Sequence, residues 1–136
     1  FVVRVAGNIV APSQIGSIEF AVERFGTKLI VVMGHSRCSA ILATIDELKS
    51  PSKNQSDNFY SIVNRIRPSL KSLLKIDQNQ DLLLQQAIRA NINSSVHQLK
   101  YSSNILKELV KKKKLLIIGA EYSLDTGIVT FLDQLP

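Results

Sequence analysis

KLIVVMGHSRCSA, residues 28–40, decides how this chain must fold. Leu29 to Met33 form an unbroken apolar run rich in β-branched residues. Such a run is expected of a strand buried on both faces in a parallel sheet. Gly34 then reads as the residue of a tight turn, and AILATIDELK continues as a helix that starts near Cys38. The turn between strand and helix carries an imidazole, His35, and the only thiol of the chain, Cys38, three residues apart.

The same alternation continues outward. FVVRVAG, residues 1–7, has the composition of a short strand, and Gly7-Asn8 is a turn signal. Pro12 and Ser13 open a helix with Ser13 as its expected N-cap. Its apolar stripe is Ile15, Ile18, Val22 and Phe25, and Gly26 stands where a C-terminal cap belongs. After the helix that follows Cys38, residues 50–57 are polar and read as an exposed loop. FYSIVNRIRPSLKSLLK is then helical, with Pro68 expected to kink or split it. A long amphipathic helix from Asp81 to Lys100 carries Ile88, Ile92, Val96 and Leu99 on one side. YSSN interrupts it before a shorter helix from Ile105 to Lys112. LLIIGA is a second apolar strand, and Asp125-Thr126-Gly127 turns the chain into an edge strand. The expected fold class is α/β: one domain over residues 1–136, with a mainly parallel central sheet flanked by helices and a C-terminal edge strand.

Composition narrows the function classes. The chain has 136 residues, 45% of them hydrophobic and 21% charged, which suits one globular domain. No apolar run approaches the roughly 20 residues needed to span a bilayer. No basic-then-apolar leader is present, and a single cysteine excludes an internal disulfide, so a reducing, cytoplasmic setting is expected. The sequons at Asn54 and Asn93 carry no weight in that setting. The net charge of +6 is densest at Lys111 to Lys114, where cations complement a helix C-terminus. No aromatic residue interleaves these lysines, so they read as a solvated helix end rather than a nucleic-acid surface. No Gly-rich phosphate loop follows any strand, which argues against a nucleotide-binding domain.

In open α/β sheets ligands bind beyond the carboxyl ends of the strands, and GHSRCSA occupies such an end. Imidazole and thiolate are ligands that zinc favours. By spacing alone, however, a His-x-x-Cys pair is more often structural than metal-binding. The other polar candidates have plainer readings. His97 reads as a surface or packing residue of the long helix, and Asp46 and Glu47 as exposed helix charges rather than a catalytic dyad. Arg37 faces either an anion or solvent.

Three stretches taken together resemble the β-class carbonic anhydrases: FVVRVAGN, SIEFAVERFGTKLIVVMGHSRCSA and IIGAEYSLDTGIVTFL. They follow the family's order and cover nearly the whole chain. The resemblance implies that His35 and Cys38 are zinc ligands and that zinc-bound hydroxide attacks carbon dioxide to give bicarbonate and a proton. It also implies a second cysteine ligand and a catalytic Asp-Arg pair in a Cys-x-Asp-x-Arg stretch. That stretch is expected upstream of Phe1, so the domain is expected to be N-terminally incomplete and, alone, to hold zinc weakly. Val5 stands where the family usually has Asn, and Ser39 where it usually has Gly. Tyr122 and Asp125 match the C-terminal pattern and are assigned structural roles. A homodimer, or a tetramer built from dimers, is implied, with an interface expected over Phe1–Ile9 and the first helix. The consecutive Leu82, Leu83 and Leu84 supply further apolar surface. The competing expectation is a non-catalytic domain of the same fold that serves binding or regulation, possibly fused to an anion transporter.

Overall fold

The computed structural model describes residues 1–52 and 54–132. Among these residues five α-helices and three strands follow one another as α1 (Pro12–Phe25), β1 (Leu29–His35), α2 (Ser39–Lys49), α3 (Asp57–Leu70), α4 (Gln80–Ser102), α5 (Asn104–Lys111), β2 (Leu116–Tyr122) and β3 (Val129–Phe131). The strands form one sheet in the order β1-β2-β3. β1 and β2 are parallel, from Leu29 opposite Leu116 to His35 opposite Tyr122. β3 runs antiparallel to β2, with Tyr122 opposite Val129. The α/β class, the parallel pair and the C-terminal edge strand agree with the sequence.

Helix α4 is the element on which most of the others pack. It lies against both β1 and β2, and α2, α3 and α5 pack on it in turn. Its approach to the sheet is close because Ile92, fully buried, points at two glycines on adjacent strands. A Cβ at Gly34 would lie 2.7 Å from Ile92 Cδ1, and one at Gly119 would lie 2.8 Å from Ile92 Cγ2. Gly34 therefore serves helix–sheet contact and not the tight turn expected of it. A side chain at Gly34 would force Ile92 to shift, by a change of rotamer or by movement of α4.

The helix ends follow their sequence signals, with one shift. Gly26 caps α1 in the left-handed conformation (φ 64°), its N–H donating to the Val22 carbonyl at 3.1 Å. At the other end α1 begins with Pro12, and Ala11 occupies the N-cap position expected for Ser13. Proline's fixed φ suits the first helical turn, where its missing N–H costs nothing. Pro68 lies inside α3, which continues past it to Leu70; a separate 3-10 turn covers Leu73–Lys75, so the helical pattern breaks after the proline and not at it. α5 ends in the lysine run, where Lys113 (φ 54°) and Lys114 return their N–H groups to the carbonyls of Val110 and Leu109 at 3.0 and 2.9 Å. This is the paired hydrogen-bond closure common at helix C-termini.

Four further expectations need correction. FVVRVAG is not a strand: among the described residues it joins no ladder, and it ends in a 3-10 turn at Ala6–Asn8. Its β-branched residues favour extension, but a strand also needs a neighbour to satisfy its backbone. β1 is not buried on both faces. Val32 and Gly34 face α4, whereas Leu29, Val31 and Met33 on the other face are 50%, 36% and 46% exposed. Phe25 likewise leaves the core and stacks edge-to-face with Phe20 on the surface. Glu47 is buried, not exposed. Its carboxylate accepts the Tyr60 hydroxyl at 2.7 Å and the Ser52 N–H at 3.0 and 3.2 Å, so it ties α2, the following loop and α3 together. The hydrogen bond to Glu47, reinforced by burial and by the carboxylate's charge, raises the pKa of the Tyr60 phenol. Asp46 remains exposed.

The helix–sheet contact makes a quantitative prediction. Gly34→Ala should destabilise the fold by about 1–3 kcal/mol through overpacking. Ile92→Ala should cost about 2–5 kcal/mol through the cavity it leaves. The double variant should lose less than the sum, since the new methyl enters the space that isoleucine vacates. Urea unfolding of the four proteins measures this, and strictly additive losses would show that the two positions do not compete for one space.

Candidate metal centre

The turn from His35 to Cys38 joins the end of β1 to the start of α2, with Cys38 at the N-cap position. Strand alternation places His35 on the same face as Val31 and Met33, away from α4. That face opens into a cavity of about 1170 Å³. His35, Cys38 and Tyr122 line it together with Arg4 and Asn8 of the N-terminal segment, so the two expected ligands share one space. Cys38 is buried at 4% exposure, while His35 is half-buried.

The imidazole has a defined orientation. Its Nδ1 lies 3.0 Å from the Ser36 carbonyl oxygen. With Nδ1 donating there, Nε2 is the unprotonated nitrogen and the one able to bind a metal. A backbone carbonyl on the remote ring nitrogen is the usual partner of a metal-ligating histidine. The donor set thus fits a zinc ion in type, one imidazole nitrogen and one thiol sulfur. Among the described residues no group of three or more His, Cys, Asp or Glu side chains gathers to hold a metal. His35 and Cys38 supply two donors.

The turn is tied to its surroundings on the β2 side. Arg37 takes a left-handed conformation (φ 55°), and its guanidinium meets Asp125 at 2.7 Å. The anion-or-solvent alternative for Arg37 thus ends in an ion pair within the chain, which also gives Asp125 the structural role expected of it. The neighbouring Ser36 donates its N–H to the Tyr122 carbonyl at 2.9 Å. His97 sits on the exposed side of α4 with its ring 4.5 Å from that of Tyr101, as a surface residue.

On the opposite wall, α4 straps down the segment that carries Arg4 and Asn8. Buried Asn91 donates to the Gly7 carbonyl at 2.7 Å, and Ser95 to the Asn8 carbonyl at 2.9 Å. Gln98 donates to the Val10 carbonyl at 3.2 Å. These polar residues were not singled out in the sequence. Their signal was present: they recur at helical spacing within the buried stripe of Ile88, Ile92 and Leu99, where unpartnered polar groups would be costly. Val5, where asparagine was expected, is half-buried and packs on the core. Ser39 is exposed in the first turn of α2 and lines the cavity.

Comparison with known proteins agrees with this architecture. A family model described as carbonic anhydrase matches residues 1–129. Carbonic anhydrase 2 of Mycobacterium tuberculosis is 30% identical over 143 aligned residues, an alignment covering 99% of this chain. The chain spans about 63% of the length of that relative. The solved β-carbonic anhydrase CcaA superposes with a TM-score of 0.84 at 20% identity, covering 98% of this chain and 67% of its own. One of the two tetrameric β-carbonic anhydrases of Sordaria macrospora superposes with a TM-score of 0.77 at 20% identity, covering 97% of this chain and 67% of its own. At these identities the structural matches speak for the fold.

Proposed function

Because the chain belongs to the β-carbonic anhydrase family, we propose that the full-length protein catalyses the reversible hydration of carbon dioxide to bicarbonate, with His35 and Cys38 as two ligands of a zinc ion. The observation that carries this reading is the arrangement of the turn. Imidazole and thiol, three residues apart, line one cavity, and the Ser36 carbonyl leaves His35 Nε2 free to coordinate. Bound zinc supplies Lewis acidity that makes water a nucleophile near neutral pH.

The residues of this chain set the conditions around that chemistry. The Ser36 carbonyl holds the imidazole in one tautomer. The apolar walls contributed by Val2, Val31 and Met33 accept an uncharged, apolar gas. The net charge of +6 raises the local concentration of small anions such as bicarbonate. The remaining zinc ligand and the Asp-Arg pair are assigned to a Cys-x-Asp-x-Arg stretch outside residues 1–136. No observation favours the non-catalytic alternative. Among the described residues no helix is long and apolar enough to cross a membrane.

Assembly into a homodimer, or a tetramer of such dimers, is part of the proposal. Phe1, Val2, Phe20 and Phe25 are 71%, 81%, 53% and 64% exposed, and the ring of Phe25 contacts those of Phe1 and Phe20. The exposed side chains of β1 adjoin them across the cavity. A contiguous apolar surface of this kind is rare on a monomer and marks an interface. It lies on the Phe1–Ile9 segment and α1.

Two measurements check the proposal. His35→Ala and Cys38→Ser in the full-length protein should each abolish carbon dioxide hydration and reduce zinc well below one per protomer. Full zinc occupancy in either variant would remove that residue from the ligand set. Light scattering of the full-length protein at micromolar concentration should give a dimer mass or a multiple of it. A monomer mass would contradict the interface.

A further inference from the structure

Every polar backbone and side-chain atom of Ser36 is engaged. Its N–H donates to the Tyr122 carbonyl at 2.9 Å, its Oγ accepts the Leu124 N–H at 2.9 Å, and its carbonyl accepts from His35 Nδ1 at 3.0 Å. The first two bonds cross from the His35–Cys38 turn to the end of β2, 86 and 88 residues away in sequence. The third reaches the imidazole. One residue therefore connects the ring of His35 to the opposite strand.

What Ser36 grips is itself rigid. The turn between β2 and β3 is closed by Ser123 N–H to the Ile128 carbonyl and Gly127 N–H to the Ser123 carbonyl, both at 2.9 Å. Thr126 N–H adds a bond to Ser123 Oγ at 3.2 Å. Beside Ser36, Arg37 is held at φ 55°, a conformation that costs a non-glycine residue free energy and persists only where its surroundings impose it. The Arg37–Asp125 ion pair lies over the same junction. Both partners are exposed, so the pair alone contributes little. The serine is the stronger link.

We propose that Ser36 is a positioning residue: its hydroxyl and N–H fasten the His35–Cys38 turn to the β2–β3 turn, and its carbonyl fixes the imidazole, so that both donors are held in place before a metal arrives. The proposal rests on the reading of His35 and Cys38 as zinc ligands. Preorganised donors lose less freedom on binding, which is why the partners of metal ligands influence affinity strongly. Ser36→Ala removes the Oγ bond and leaves the ligands untouched. Ser36→Thr restores a hydroxyl.

The test uses the full-length protein and two readouts. The first is the rate at which iodoacetamide modifies Cys38 in metal-free protein, followed by mass spectrometry of the peptide that contains it. The second is zinc affinity by competition with a chelator. Ser36→Ala should speed modification about three- to tenfold, the effect of losing one hydrogen bond. It should weaken zinc binding about 10- to 100-fold. Ser36→Thr should return both readouts to near the wild-type values. Unchanged rates and affinity in Ser36→Ala, or a loss that Ser36→Thr does not repair, would overturn the proposal. Should Ser36→Ala fail to fold, hydrogen exchange of the Leu124 amide in metal-free wild-type protein tests the same bond: protection well above that of an open loop is expected, and exchange at the rate of an unprotected amide would overturn the proposal. Since Cys38 rates are taken without metal, wild-type protein that binds no zinc would count against the proposed function and leave the fastening of the turn to be judged on the rates.

Discussion

The side chain of Ile92 fills a hollow that exists because Gly34 and Gly119, on adjacent strands, carry no Cβ. Much of the molecule is positioned by that contact. It fixes the depth and register of α4 on the sheet, and α4 in turn carries Asn91, Ser95 and Gln98 to the carbonyls of residues 7, 8 and 10. The N-terminal segment, which has no ladder of its own among the described residues, is thereby placed along the cavity wall. Gly34 immediately precedes His35, so the residue that sets the helix–sheet distance also sets where the imidazole begins.

The two faces of β1 perform different tasks. The face toward α4 is buried, with Gly34 letting Ile92 approach closely, and it contributes rigidity. The other face presents Leu29, Val31, Met33 and finally His35 to an open cavity. A strand that is apolar on both sides but covered on one leaves binding surface next to the chemistry. The candidate ligands and the apolar surface assigned to self-association both belong to this open side. The proposed interface and the proposed metal centre thus lie side by side, and assembly would be coupled to the centre by position.

The strands, helices and chain order were legible because their signals are local: apolar runs, helical spacing, Gly26 as a cap and a turn at residues 125–127. The misread elements depended on partners distant in sequence. Gly34 looked like a turn because Ile92 lies 58 residues away, and Glu47 looked solvated because Tyr60 belongs to another helix. FVVRVAG has strand composition, yet composition does not supply the neighbour that a ladder requires. In β1 the run of apolar residues gave no alternation from which to see that one face lies open. The His35 and Cys38 pair stood out from its motif, and the structure places both on one cavity. The role of Ser36 had no such signal, since a hydroxyl in a turn acquires its meaning only from the strand end it contacts.

In the proposed centre one turn, on the open face of the sheet, presents an imidazole nitrogen and a thiol sulfur to the same ion. Zinc K-edge X-ray absorption on the full-length protein, purified with its metal, reads those donors. Nitrogen at about 2.0–2.1 Å together with sulfur at about 2.3 Å is expected in the first coordination shell. A shell made only of nitrogen and oxygen would contradict it.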